Sequence, residues 1–327
     1  MPHLYYYRTF GLNLAVNRPI HFLIETDAQK PDCLILLHGS ISLAKVPPQA
    51  RQTTPTSCEW TSDDRGIVIR FHDPLNRGEV EFKLQSSGNQ LDVWWTPEVD
   101  VHDVIRVCTS IMIGRILNAL GKLALHANAV QVGGSCILLA APSGAGKSST
   151  TAALLKAGAT LLSDDIVNID NINNQFIAAH GFAQLRLWPD TASELLPDMT
   201  SLESVYKRTA LTGDKRYWDL ARQPDSFHPK DSPIQAIYLL GERSKDRISA
   251  QLLPANLAIG SLLHQLYLGQ PAHPELWQSP FLALVKLVQQ VPVFTLQLLE
   301  GLHSLQSAHD FLLSHLTSIP NDQASGL

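Results

Sequence analysis

Three short stretches of this chain carry side chains able to do chemistry together. Residues 141–148 read Ala-Pro-Ser-Gly-Ala-Gly-Lys-Ser, residues 164–165 are Asp-Asp, and residue 126 is His. In the first stretch Gly144 and Gly146 lack a Cβ, so the backbone can turn its N–H groups inward. With Ser143, Ala145 and Ser149 they line the start of a helix, where N–H groups and the helix dipole attract an anion. Lys147 has the reach for β- and γ-phosphates, and the Ser148 hydroxyl suits Mg²⁺. This is the Walker A (P-loop) pattern with Ala141 in place of its first Gly. The plain alternative is a Gly/Ser-rich turn that binds nothing. The setting argues against that: an apolar, strand-like run (136–140) precedes the loop and a helix-like run (149–156) follows it.

A phosphate cradle specifies a nucleotide but no reaction. The Asp164-Asp165 pair adds the reaction. A helix after the loop carries the chain away, and the next strand returns it to the nucleotide end. Phosphoryl transfer to a hydroxyl needs one acid to hold Mg²⁺ and another to orient the hydroxyl and take its proton. Alternatively, one Asp caps a turn and the other alone is functional. His126 stands at the start of a predicted hairpin that can fold it back beside the loop. There it can hydrogen-bond an Asp or help neutralise charge, although a His at a strand edge also serves as an ordinary structural residue.

The elements that must position these groups are legible from periodicity. Residues 1–98 read as a β-rich domain. Short apolar runs at 20–24, 33–37, 67–71 and 80–84 alternate with turn residues, and 81–84 and 91–95 flank a Ser-Ser-Gly-Asn hairpin turn. Residues 99–123 read as a linking helix, with Val104, Ile105, Cys108, Ile111, Met112, Ile116 and Leu120 at helical spacing. Residues 124–317 form the P-loop domain. Its hairpin (127–132 and 136–140) leads into the loop, the P-loop helix ends near Gly158, and strands follow at 159–162, 166–169 and 185–188. A polar, loop-rich region spans 190–232. A strand pair at 236–240 and 248–253, helices at 257–268, 281–289 and 302–316, and a strand at 293–298 complete it. Residues 318–327 read as a flexible tail. The expected class is α/β with a mixed sheet.

Composition narrows the function classes. The chain has 327 residues and a net charge of −5, which argues against a nucleic-acid binder. Cys33, Cys58, Cys108 and Cys136 make no close pair, which fits free thiols and a reducing compartment. No apolar signal segment opens the sequence and no run of about 18 apolar residues interrupts it, so the expectation is a cytoplasmic protein without membrane contact.

The spacing His126…Lys147…Asp164-Asp165 resembles the HPr kinase/phosphorylase superfamily, whose catalytic domain has a His before a GxxxxGKS loop and an Asp-Asp pair after the next strand. The matching segments are LHANAV (125–130), LLAAPSGAGKSSTTAALLKAG (138–158) and LLSDDIVNI (161–169). Weaker matches at AQLRLWPD (183–190), DKRYW (214–218) and SPIQAIYLLG (232–241) look like the short HPr-kinase-like proteins that tailor lasso peptides, as does the opening Tyr7…Phe10-Gly11-Leu12. The resemblance implies an HPr-kinase-like fold, ATP and Mg²⁺ as cofactors, a peptide hydroxyl as substrate, and homo-oligomers. By position it implies that Lys147 and the loop amides hold phosphates and that Ser148 and Asp165 bind Mg²⁺. Asp164 would be the general base, supported by His126. Arg186 and Lys215 would contact phosphate or a substrate carboxylate, and Asp190 is the nearest candidate for a further metal carboxylate. The chain lacks the family's Glu-x-Arg-Gly-Leu-Gly segment, which disfavours HPr itself as substrate. The alternatives are an HPr seryl kinase and a nucleotide-dependent peptide-binding protein that transfers nothing. Trp60, Trp94 and Trp95 are expected in packing, and His303, His309 and His315 point to three helix faces, a poor metal site.

Overall fold

The computed structural model describes residues 3–40, 52–54, 58–72, 78–196, 202–207, 214–223, 225–267, 277–301 and 303–319. The side chains of Trp60 and His303, and Arg208, Leu302 and residues 320–327 of the expected tail, lie outside the described residues.

The first 95 residues supply one sheet: β1 (Tyr5–Thr9), β2 (Leu12–Val16), β3 (Ile24–Glu25), β4 (Cys33–Ser40), β5 (Gln52–Thr54), β6 (Cys58–Asp63), β7 (Gly66–His72), β8 (Glu79–Gln85) and β9 (Gln90–Trp95). Among the described residues its nine strands run in the order β3-β1-β2-β4-β9-β8-β7-β6-β5. The β8–β9 hairpin forms at the expected turn, but residues 20–23 are not strand. Ile20 is instead a buried turn residue whose N–H donates to the Tyr7 hydroxyl at 2.7 Å.

The expected helix runs as α1 (Val101–Val107), a π turn (Cys108–Met112) and α2 (Ile113–Ala119). Asp100 caps it by accepting from the His102 N–H at 2.8 Å. It stops before residue 123 because Gly121 turns left-handed, and Leu123–Leu125 becomes a strand, β10. Val104, Val107, Cys108, Met112, Ile113, Ile116 and Leu117 bury their side chains against the first sheet. The helix therefore covers one face of that sheet.

The remaining elements follow in order. They are β11 (Ala127–Val132), β12 (Ser135–Ala140), α3 (Lys147–Lys156), β13 (Thr160–Ser163), β14 (Val167–Ile172), β15 (Gln175–Ala178), β16 (Gln184–Leu187), α4 (Pro189–Leu195), β17 (Glu203–Ser204), β18 (Arg216–Asp219), β19 (Ser232–Leu240), β20 (Ser249–Leu252), α5 (Ala255–Leu263), α6 (Gln278–Gln290), β21 (Val293–Gln297) and α7 (Ser307–Ser318). A second sheet runs β10-β14-β15-β19-β12-β11-β13, with β21 also on β19 and β20 on β21. It is mixed: β12–β19 and β19–β21 are parallel, and β11–β12 and β11–β13 are antiparallel. The segment 248–253 thus pairs with β21 and not with β19, as the sequence had implied. The parallel β21 occupies that place beside β19.

The two-residue period of the central strands divides the core. Ile137 and Leu139 pack on Ala152, Leu154 and Leu312 of α3 and α7. Cys136, Leu138 and Ala140 pack on the other side against Ala258, Leu262, Leu284 and Leu287 of α5 and α6. Helices on both faces of a mixed sheet make this an α/β fold. The β16-β18-β17 sheet forms a separate three-stranded platform: β16 is the strand expected at 185–188, whereas β17 and β18 lie within the region read as loop. The first sheet docks by its β1–β2 turn: the Phe10 N–H donates to the His180 carbonyl at 2.6 Å, and Asn168 Nδ2 donates to the Phe10 carbonyl at 2.9 Å. Among the described residues no helix is long and apolar enough to cross a membrane.

Candidate active site

The loop after β12 adopts the backbone its glycines allow. Gly144 and Gly146 have φ of +84° and +88°, a region costly for a residue with a Cβ. The Ala145 N–H closes a turn on the Pro142 carbonyl at 3.2 Å, and α3 begins at Lys147. Ser143 and Gly144 are exposed, and Ser148 is half-buried with no hydrogen bond from its hydroxyl to a described residue. The Ser149 hydroxyl bonds Thr191 at 3.1 Å, tying α3 to α4.

Lys147 is buried at 7% exposure, and its Nζ donates to the His126 carbonyl at 3.2 Å. Burial pushes its pKa down to about 8, although Asp165 and Asp164 pull the other way. A bound polyphosphate would restore its proton. Binding of Mg·ATP near pH 8.5 should therefore take up a proton, seen as a calorimetric enthalpy that varies with buffer ionisation heat. Binding with no proton uptake would contradict the placement of Lys147 on the phosphates.

The turn between β13 and β14 presents the two carboxylates. Asp165 has φ of +69°, unusual for a residue with a side chain. Asn128 holds it there, accepting from the Asp165 N–H at 2.9 Å while its own Nδ2 donates to Thr151 of α3 at 2.9 Å. Arg186 of β16 grips both acids. Its Nη2 donates to Asp165 Oδ2 at 2.6 Å, and its backbone N–H and Nε reach Asp164 Oδ2 at 3.1 and 3.5 Å. His126 Nε2 meets Asp165 Oδ1 at 2.9 Å. This corrects the expected pairing: His126 supports Asp165 and makes no bond to Asp164. The kink between β10 and β11, fixed by the His126 N–H to the Gln265 carbonyl at 2.6 Å, aims the ring that way.

The environments drive the two acids apart. Asp164 is nearly sealed, with 7% of its side chain exposed. Burial raises its pKa, only partly offset by Arg186. Burial also opposes charge on Asp165, but Arg186 and His126 outweigh it and hold that carboxyl well below the usual range. Such splitting marks an acid able to accept a proton beside one that stays ionised.

Lys215 joins the site at its rim. It stacks on exposed Trp188 at 5.3 Å, next to the Arg186–Tyr217 rung of β16 and β18, and does not reach the carboxylates. Asp190 is exposed on α4. Among the described residues no three His, Cys, Asp or Glu side chains gather to hold an ion unaided. The Ser148 hydroxyl and the Asp165 carboxylate are oxygen donors of the kind Mg²⁺ takes, and with phosphate oxygens they would make up a set it fits.

Three wall residues escaped sequence reading. Asn128 is a polar residue within an apolar strand, and that break in the pattern was its signal. Arg106 of α1 is sandwiched at 4.1 Å from both the Phe22 and Tyr217 rings. Tyr267 faces His126 at 6.4 Å, and its ring lies where a Cβ on Gly114 of α2 would stand, 1.9 Å from Cε1. Neither carries a local signal. Gly114→Ala should cost about 1–3 kcal/mol through overpacking, read as a lower denaturation midpoint. An unchanged midpoint would mean that the Tyr267 ring is not fixed there.

No protein-family model matches the chain, and no curated protein matches it. Among solved structures it is similar to the HPr(Ser) kinase/phosphatase from Coxiella burnetii, at 12% identity and a TM-score of 0.32, over 59% of this chain and 95% of that one.

Proposed function

We propose that this chain is an HPr-kinase-like, ATP- and Mg²⁺-dependent kinase that phosphorylates a serine hydroxyl of a peptide, as a tailoring enzyme for a ribosomal, lasso-type precursor. The observation that carries the reaction is the split carboxylate pair beside a P-loop lysine. A sealed acid with a raised pKa takes a proton, and its ionised neighbour keeps negative charge for a cation. The peptide class rests on the segment resemblances and on the absence of the Glu-x-Arg-Gly-Leu-Gly segment.

In this reading the loop N–H groups and Lys147 bind and orient the phosphate chain. Ser148 and Asp165 would hold Mg²⁺, which would supply neutralisation of the phosphate charge. His126 and Arg186 keep Asp165 ionised and fix its direction. Asp164 accepts the serine proton as the oxygen attacks the γ-phosphorus and the bond to the ADP oxygen breaks. Lys215 and Trp188 border the path of the acceptor.

A second assignment exchanges the two acids. The greater exposure of Asp165, 28% against 7% for Asp164, favours it. The variants separate the two. Loss of the base lowers turnover with Mg·ATP affinity kept, whereas loss of the metal ligand raises the Mg²⁺ requirement.

The test of substrate class is mass spectrometry after incubation with Mg·ATP and three acceptors: peptides ending in serine, peptides with internal serine, and HPr. Phosphoserine on peptide supports the proposal. Phosphate on HPr alone supports the seryl-kinase alternative, and ATP binding without transfer supports the binding protein.

A further inference from the structure

Among the described residues, the cations named at the site have partners in all but one case. Lys147 has the His126 carbonyl, Arg186 has both carboxylates, and Lys215 has the Trp188 face. Arg243 has none. It lies just past the C-terminal end of β19, which runs parallel to the P-loop strand β12, so its loop opens beside the P-loop. Ligands of such sheets bind at that end of the strands.

The contact is close. A Cβ built on Gly146 would stand 2.5 Å from Arg243 Nη2, so the guanidinium lies on the P-loop backbone one residue before Lys147. Its Nη1 is buried and finds no hydrogen-bond partner among the described residues. Partial burial lowers its pKa, and no acidic group acts against that. The position is held. The Gly241 N–H donates to the Leu296 carbonyl at 2.9 Å, and the Ser244 N–H to the Leu298 carbonyl at 2.8 Å, pinning the turn on both sides of Arg243. A fixed, half-buried guanidinium with an unpaired buried N–H beside an anion cradle is stabilised by an anion placed there.

We infer that Arg243 is a further phosphate-binding residue, donating to the polyphosphate chain of the nucleotide beside the loop amides. The inference rests on the nucleotide reading of the P-loop given above. It also gives Gly146 a second role: besides its backbone conformation, it leaves room for the guanidinium.

The test is calorimetric titration of the full chain with Mg·ATP and, separately, with inorganic triphosphate, for wild type, Arg243→Gln and Arg243→Lys. Loss of a charge-assisted hydrogen bond to phosphate should raise both dissociation constants roughly 10- to 100-fold in Arg243→Gln. Arg243→Lys should recover part of the loss as a point charge without the fork. Because the glutamine and lysine variants keep a long side chain, a thermal melt on each checks that the fold is intact. If wild type binds triphosphate and Arg243→Gln binds it equally well, this inference fails and the P-loop reading stands. Weakened Mg·ATP with unchanged triphosphate would place Arg243 on the base and overturn it. If wild type binds neither probe, the nucleotide reading falls and takes Arg243 with it.

Discussion

Asp164→Asn should lower phosphoryl transfer roughly 10²- to 10⁴-fold, the usual worth of a positioned general base, while Mg·ATP affinity stays within a few-fold. The amide keeps the shape of the side chain and can still meet the Arg186 backbone N–H, which reaches Asp164 Oδ2 at 3.1 Å. What it loses is the capacity to take a proton. Since burial raises the Asp164 pKa, the wild-type rate should also fall on the acid side at a pH above that of an ordinary carboxylate. The sign follows from the role: a base works only when deprotonated, so the rate rises with pH through that value. A variant with wild-type rate, or a profile flat through the weakly acid range, would remove Asp164 from the base position. If Asp165→Asn instead shows lost turnover at unchanged Mg²⁺ requirement, the two acids exchange roles.

The second large effect concerns the fold itself. Arg186→Met should destabilise the protein by about 3–5 kcal/mol, the cost of leaving partners of a buried ion pair uncompensated. Arg186 has 17% of its side chain exposed and bridges two carboxylates, one of them nearly sealed. Without it Asp164 and Asp165 repel at close range, and among the described residues the Asp165 carboxylate keeps only His126 as a side-chain partner. Adding Asp164→Asn to Arg186→Met removes one of the stranded charges, so the double variant should be more stable than the single one. Denaturant midpoints of the three proteins measure this. A single variant as stable as wild type would show that Arg186 is a solvated surface cation after all.

That alternative shows where sequence reading reaches its limit. The P-loop, its strand and its helix were legible because local rules specify them: glycines where φ is positive, an apolar strand, and a helix-like run from 149, which in the structure begins two residues earlier at the lysine. The Asp pair followed from the need for the next strand to return. The joining of Arg186 to that pair was not legible locally. It depends on β16 crossing the turn after β13, a contact between residues separated by 21 and 22 positions. The same holds for His126, whose carboxylate was misassigned. Position along the chain brings the ring to the loop, but the left-handed Asp165, locked by Asn128, decides which oxygen it meets. Arg106, Tyr267 and the Phe10–His180 docking come from the first sheet, its covering helix and a distant loop. No periodicity predicts how such pieces meet. The strand at 249–252 was recognised, but its partner was not, since a parallel strand can take a place that a hairpin seemed to fill.

The central claim is that this site moves a phosphoryl group from ATP to a serine hydroxyl. The direct measurement follows a γ-phosphate label from Mg·ATP in wild type and Asp164→Asn, side by side, with serine peptides as acceptors. The account predicts labelled phosphoserine from wild type, and from the variant bound ATP with almost no labelled serine. Wild-type protein that binds Mg·ATP yet labels no serine, or a variant that labels serine at the wild-type rate, would contradict it.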